Sequence, residues 1–330
     1  MGASARGKDG DMARISEKRL LVKIARMYYE RDMTQARIAA RFGMSRYKVQ
    51  RLLKKCRKTG VVHILIRPAP GEFADLEKGI EEKYGLRDAV VIETPPSNKL
   101  PAVTRELGAA AAEYLCGAIQ SNERIAVGIG TAVYETVNAL QHRARPRVKG
   151  MEVVQGFGGL GDANYEEHVT VLTQRLAAWL GAYGFIMPAP LVVGSPAVRK
   201  VLYEDPGISG VLNRARSATL ALVGMGAIKA WPRKSGPAII RRYPELADMP
   251  ALGAVGDINL RFFDRQGRAV QSDFDARMVG LSLAELKSIN MVVAVAGGRV
   301  KFEAIQAALK GGLLSVLVTD SMTAERLIEA

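Results

Sequence analysis

The chain has 330 residues, 48% of them hydrophobic and 24% charged, with 47 Lys/Arg against 33 Asp/Glu. That is long enough for two domains, and the composition excludes a disordered or collagen-like chain. No run approaches the ~18 apolar residues of a membrane span, and residues 1–11 lack the apolar stretch of a secretory leader. Two cysteines and three histidines give no basis for a disulfide scaffold or a zinc cluster, so the expectation is a reducing cytoplasm, with no metal and no cofactor.

The charge is unevenly placed. Residues 1–67 hold 18 Lys/Arg and 5 Asp/Glu, whereas the rest of the chain holds 29 and 28. Such asymmetry points to a nucleic-acid-binding head on a near-neutral body. A solvated basic tail would show the same charge but not the apolar periodicity of this segment.

In the head, residues 14–67, Leu20, Leu21, Ile24, Met27 and Tyr28 recur at helical spacing. Thr34 is placed to cap a second helix that opens at Gln35 and carries Ile38, Ala39 and Phe42 on one face. Gly43 supplies a turn, and Ser45 caps a third helix running to about Lys58, ended by Thr59-Gly60. Helix, glycine-containing turn, helix is the helix-turn-helix pattern. In the third helix Val49, Leu52, Leu53 and Cys56 share one side, while Tyr47, Arg51, Lys54 and Lys58 point the other way with Gln50 beside them. From Arg46 to Lys58 there are seven basic residues and no acid. A solvated helix would accept Glu as readily as Lys; a major groove would not, because its phosphates attract cations while Gln and Arg read base edges. The candidate DNA contacts are Thr34, Gln35, Ser45, Arg46, Tyr47, Gln50, Arg51 and Lys54. Cys56 reads as a small core residue, and residues 61–67 as a short strand or wing, giving a winged-helix-like head.

Pro68, Pro70 and Gly71 mark a boundary. A helix is predicted over 73–84, with Phe73, Leu76 and Ile80 on one face, in a linker spanning 68–86; it is either a connector or a dimer contact.

The body, residues 87–330, alternates predicted strands at 88–92, 124–128, 151–155, 218–223, 291–296 and 314–318 with predicted helices near 100–118, 131–141, 165–180, 299–310 and 320–328. That order predicts an α/β fold, a doubly wound parallel sheet, whose ligands bind beyond the carboxyl ends of the strands. Three such ends are glycine-rich. Gly128-Ile129-Gly130-Thr131 leads into a helix, where free N–H groups and the helix dipole favour an anion; a tight strand-to-helix turn would look the same. Ala296-Gly297-Gly298-Arg299-Val300-Lys301 repeats the arrangement, with Lys301 in or near a first helical turn, where a cation is unfavourable unless an anion binds beside it. At Gln155-Gly156-Phe157-Gly158-Gly159, Gln155 is suited either to a polyol or to lining a turn. Gly256-Asp257 opens an expected hairpin over 258–270, turning at 264–267; Asp257 would accept from sugar hydroxyls, or form an Asx turn.

Together these residues resemble the SorC family of sugar-responsive bacterial transcriptional regulators, over about residues 16–330. The likeness rests on Ser45-Arg-Tyr-Lys-Val-Gln-Arg-Leu-Leu53, Gly128-Ile-Gly-Thr131, Val154-Gln155 with Gly158-Gly159, Gly256-Asp257, and Ala296-Gly-Gly-Arg-Val-Lys301 with the small-residue helix after it. The resemblance implies a helix-turn-helix reading operator DNA, and an effector domain of sugar-phosphate isomerase type that binds a sugar, a polyol or a phosphate of either. It also implies a homo-oligomer, dimer or tetramer. Carried over, Gly128, Gly130 and Thr131 would hold a phosphate with Lys301 beside it, and Gln155, Gly158 and Asp257 would lie at the sugar. Ala132-Val133 departs from the family, whose members often have a further Ser or Thr there.

An enzyme is the rival reading, since sugar-phosphate isomerases and deaminases share this architecture. Such chemistry needs a base near a carbonyl-polarising group. His142 and His168 are the only histidines of the body, and Glu166 and Glu167 read as a solvated helix start, so no catalytic constellation emerges.

Overall fold

The computed structural model describes residues 6–62, 73–97, 99–159, 169–230 and 242–330, with side chains from Glu17 onward. The chain divides into two compact units, Met1–Arg67 and Pro68–Ala330.

The first unit is three helices, α1 (Arg6–Tyr29), α2 (Gln35–Phe42) and α3 (Arg46–Lys58). Their apolar faces meet in a small core: Leu21, Ile24 and Ala25 from α1, Ile38 and Ala39 from α2, and Val49, Leu52, Leu53 and Cys56 from α3. Thr34 and Ser45 cap α2 and α3 through their hydroxyls, which accept from Arg37 N–H at 3.3 Å and Lys48 N–H at 3.2 Å. Gly43 takes φ 61, and the next amide, of Met44, donates back to Ala39 O at 3.0 Å, closing α2. The Cys56 thiol donates to Leu21 O at 3.3 Å, and burial raises its pKa, as suits a packed residue. After α3, the amides of Val61 and Val62 both fall back on Cys56 O without forming a strand; the remainder of the expected wing lies outside the described residues.

The second unit opens with α4 (Ala74–Tyr84). Its main sheet comprises β1 (Asp88–Ile92), β2 (Arg124–Val127), β3 (Glu152–Gln155), β4 (Tyr183–Phe185), β5 (Leu220–Gly224), β9 (Met291–Val295) and β10 (Val316–Asp320). Their order is β1-β10-β9-β5-β2-β3-β4 and every pairing is parallel. Successive residues serve opposite faces: Leu220 and Leu222 join one core with Val127, Val153 and Val293, while Ala221 and Val223 join the other with Ala126, Val154 and Ala294. A parallel sheet covered on both sides requires this continuously apolar pattern. α5 (Leu100–Ala118), α6 (Thr131–Leu140) and α7 (Val169–Leu180) cover the first face. Further helices are α8 (Pro196–Glu204), α9 (Pro206–Arg216), α10 (Asp273–Arg277), α11 (Leu283–Lys287), α12 (Phe302–Lys310) and α13 (Ser321–Glu329). A separate antiparallel ribbon contains β6 (Gly226–Ala227), β7 (Gly256–Ile258) and β8 (Arg261–Phe263).

The predicted strands all exist, the last displaced by about two residues. The helix expected at 165–180 is present from Val169; its earlier part, with Glu166, Glu167 and His168, lies outside the described residues. The helix expected at 299–310 opens as a 3₁₀ turn over Arg299–Lys301. The turn expected at 264–267 closes with Gly267 N–H on Asp264 O at 2.9 Å, but a tighter hairpin precedes it at Asn259-Leu260.

α4 belongs to this second unit. It packs on α13, where Lys83 Nζ and Tyr84 OH donate to the carbonyls of Ile328 and Leu327 at 2.9 Å each. Its carboxylates also reach the edge strand: Glu81 accepts Ala89 N–H at 3.1 Å and Glu77 accepts Val91 N–H at 3.0 Å. These are the amides of β1 that face away from β10, so α4 occupies the positions a further strand would take.

Candidate DNA interface and effector site

The outward face of α3 is built as its spacing predicts. Arg46, Tyr47, Gln50, Arg51 and Lys54 are exposed, Tyr47 to 74%, because the opposite side of the helix is wholly engaged in the three-helix core. Among the described residues the helix has one ion pair, Lys55 with Glu17 at 2.6 Å. Thr34, Gln35 and Ser45 sit at the N-terminal ends of α2 and α3, where unpaired backbone N–H groups and the helix dipole favour phosphate.

In the second unit, connections from β2 run outward to β3 and β4, while β5 is followed by β9 and β10 on its other side. The β2/β5 pair is therefore the point where the winding reverses, and it is there that open α/β sheets form a crevice. The loop after β2 carries Gly128 and Gly130 into α6. Gly130 caps that helix at φ 119, ψ 162, a conformation essentially confined to glycine, and Thr131 is the first helical residue. The loop after β5 carries Met225 and Gly226. Gly226 pairs with Asp257 in the ribbon, and Lys301 Nζ donates to Met225 O at 2.7 Å. Asn259 then closes the ring: its Oδ1 accepts Ile129 N–H at 2.8 Å, tying the ribbon to the glycine loop.

Thus Gly128, Gly130, Thr131, Asp257 and Lys301, far apart in sequence, gather at one crevice. Asp257 is buried, its Oδ2 accepting Leu260 N–H at 3.0 Å. Burial pushes its pKa up to about 6, against the opposing pull of the Leu260 N–H and the Lys301 charge. Burial likewise lowers the pKa of Lys301, while Asp257 raises it. A carboxylate and a cation thus interact at this strand end, by the loop that opens α6.

Gln155 and Gly158 are placed differently. Gln155 ends β3 next to Val127, yet its amide is engaged within the protein: Nε2 donates to Phe157 O at 2.6 Å and Oε1 accepts from Thr170 at 3.0 Å. Gly158 lies under the segment at Pro190, where a Cβ would stand 2.3 Å from that residue's carbonyl oxygen. Both shape the strand end from inside.

Two residues of this region escaped the sequence reading. Arg261 is buried, and its guanidinium donates to Asp275 Oδ1 at 2.8 Å and to the carbonyls of Leu281 and Gly280 at 3.0 and 3.1 Å, so it is a structural cation pinning 275–281 to the ribbon. Asn259 is the other. Its signal is an Asn two residues after Asp257 in a β-rich run, a turn signature that the following Leu260 obscures. Among the described residues no group of His, Cys, Asp and Glu is arranged to hold a metal, and no helix is long and apolar enough to cross a membrane. His142 is exposed.

Comparison with known proteins gives a consistent picture. The sugar-binding domain family matches residues 69–329. The transcriptional regulator LsrR of Klebsiella pneumoniae is 33% identical over 321 residues, covering 95% of this chain and 94% of its own. The deoxyribonucleoside regulator of Bacillus subtilis is 28% identical over 320 residues, covering 94% and 98%. The crystal structure of the full-length sorbitol operon regulator SorC from Klebsiella pneumoniae superposes with a TM-score of 0.70 at 30% identity, covering 95% of this chain and 99% of that one. A helix-turn-helix with a basic face, joined in one chain to a parallel α/β sheet, is thereby placed: the chain belongs to the SorC family of transcriptional regulators with a sugar-binding domain.

Proposed function

We propose that this regulator reads its operator through α3 and controls a carbohydrate operon in response to a phosphorylated sugar or polyol held at the β2/β5 crevice. The observation that carries the reading is the convergence of the α6 N-terminus, Lys301 and buried Asp257 on that crevice. Phosphate is assigned to Gly128, Gly130, Thr131 and Lys301, and hydroxyl groups to Asp257. The relatives named for sorbitol and for deoxyribonucleosides support a small polyhydroxy effector. The chain works in the cytoplasm as a homo-oligomer, dimer or tetramer, because paired half-sites need paired heads. The relatives named as transcriptional regulators support a regulatory role over a catalytic one.

The effector acts by favouring one arrangement of the oligomer over another, and DNA affinity changes by the difference in its affinity for the two. Gel shifts on the promoter upstream of the neighbouring operon, with and without sugar phosphates, test this. Retardation that a sugar phosphate alters is the expected result. No retardation of any neighbouring promoter, or turnover of a sugar phosphate by the purified chain, would refute it.

A further inference from the structure

The structure assigns Asn259 to the effector site: we infer that its side-chain Nδ2 donates a hydrogen bond to an oxygen of the bound molecule. The inference rests on the effector reading above and adds a contact that discriminates among effectors.

Asn259 is 2% exposed and stands at φ 56 in the two-residue turn between β7 and β8. The bond from Ile129 N–H fixes which end of the amide is which, because only the oxygen can accept. That leaves Nδ2 as a donor, and it is buried with no hydrogen-bond partner among the described residues. A buried donor without an acceptor opposes folding, and native proteins rarely keep one without a role for it.

The surroundings point to a ligand as the missing acceptor. The amide lies against Gly128, where a Cβ would stand 2.3 Å from Oδ1 and 3.0 Å from Nδ2, so a side chain at 128 would displace it. Along the same loop, the position a Cβ would take at Gly130 has no described atom within 4 Å. Leu260, the next residue, is held at φ 63, a conformation that costs energy for a branched side chain. Strain and an unpaired donor on adjacent residues of one turn, bound to the glycine loop on one side and Asp257 on the other, place Nδ2 between the subsites for anion and hydroxyl. The molecule that satisfies all three is a phosphorylated polyhydroxy compound. It presents an acceptor oxygen, a hydroxyl or carbonyl, to Nδ2. A deoxy analogue lacking that oxygen binds less tightly.

Asn259→Asp is the discriminating variant. It keeps the size and the acceptor for Ile129 N–H but removes the donor. Asn259→Gly, which tolerates the positive φ, guards against misfolding of the charged variant. Full-length wild-type and variant chains are titrated calorimetrically with ribose 5-phosphate, 2-deoxyribose 5-phosphate and sorbitol 6-phosphate, with inorganic phosphate as competitor and DNA binding without effector as the control for folding. Expected is a loss of about tenfold or more in affinity for the sugar phosphate that the wild type binds, in both variants, with DNA binding unchanged. Variants that bind that sugar phosphate as the wild type does would overturn the role of Asn259 and leave the effector reading standing. A wild-type chain that binds none of the three would overturn the effector reading, and this inference with it.

Discussion

The carboxylate of Asp320 accepts the backbone N–H of Gly298 at 2.6 Å, and through its other oxygen the hydroxyl of Thr94 at 3.0 Å. It also caps α13, receiving Thr323 N–H at 3.1 Å and Thr323 Oγ1 at 2.7 Å. Asp320 is fully buried, so these donors replace the water it has lost. Because Gly298 opens the turn that delivers Lys301 to Met225, the end of β10 holds the cation of the crevice in place. Asp320→Ala is expected to cost about 3 kcal/mol or more, and Asp320→Asn, which keeps one strong acceptor, about half of that. Urea unfolding measures both; wild-type stability in the alanine variant would show that the network bears no strain.

On α3, phosphate contacts and base contacts predict different signatures. Lys54→Ala is expected to weaken binding to all DNA sequences and to reduce the slope of log affinity against log salt by about 0.9. Gln50→Ala or Arg51→Ala is expected to relax preference at one operator position, at about 1–3 kcal/mol of discrimination. All three residues are exposed, so unfolding midpoints stay put. Fluorescence anisotropy against salt, on operator and scrambled duplexes, separates the two classes. Unchanged affinity in all three would remove α3 from the interface.

Asp257 makes stability depend on pH. Burial is the largest influence on it, raising its pKa from 3.8 to about 6. Below the lower value it is protonated in both states. Between the two the unfolded chain loses the proton first, so stability falls as pH rises from about 4 to about 6 and then levels off, by about 3 kcal/mol in all. Asp257→Asn cannot ionise and is expected to lack this fall. Denaturation curves at several pH values, wild type minus variant, display the slope; parallel curves would refute it.

Two glycines that sequence alone would group together separate by geometry. Gly158→Ala drives a Cβ against the backbone of Pro190 and should lower stability by about 1–3 kcal/mol. Gly130→Ala meets no atom but must hold φ 119, costing about the same. The thermal shift produced by a bound sugar phosphate should persist in the first and shrink in the second. Equal shifts in both would detach Gly130 from the site.

Much of the molecule was legible because its signals are local. The hydroxyl caps Thr34 and Ser45, the glycine turn at Gly43 and the apolar runs of β5 and β9 each declare themselves within a few residues. The missed elements were short or bent by their context. β4 is three residues, Tyr-Gly-Phe, with Tyr183 at 77% exposure, so it has neither the length nor the burial pattern of a strand. α8 and α9 carry short starts, Ser195-Pro196 and Asp205-Pro206, each a cap followed by proline at the first helical position, with no long apolar periodicity behind them. The glycine turn after β2 was legible but the turn at Asn259 was not, because Leu260 stands where a two-residue turn of this kind favours glycine. The fates of Gln155 and Gly158 depended on Thr170 and Pro190, neighbours that spacing along the chain does not announce.

The carboxylates of Glu77 and Glu81 have a consequence for how copies of this molecule can associate. By filling the ladder positions on the open side of β1, they deny that margin to any incoming strand. Lateral extension of the main sheet is thereby directed to the opposite margin, at Tyr183–Phe185, where three residues offer too short a template for runaway polymerisation.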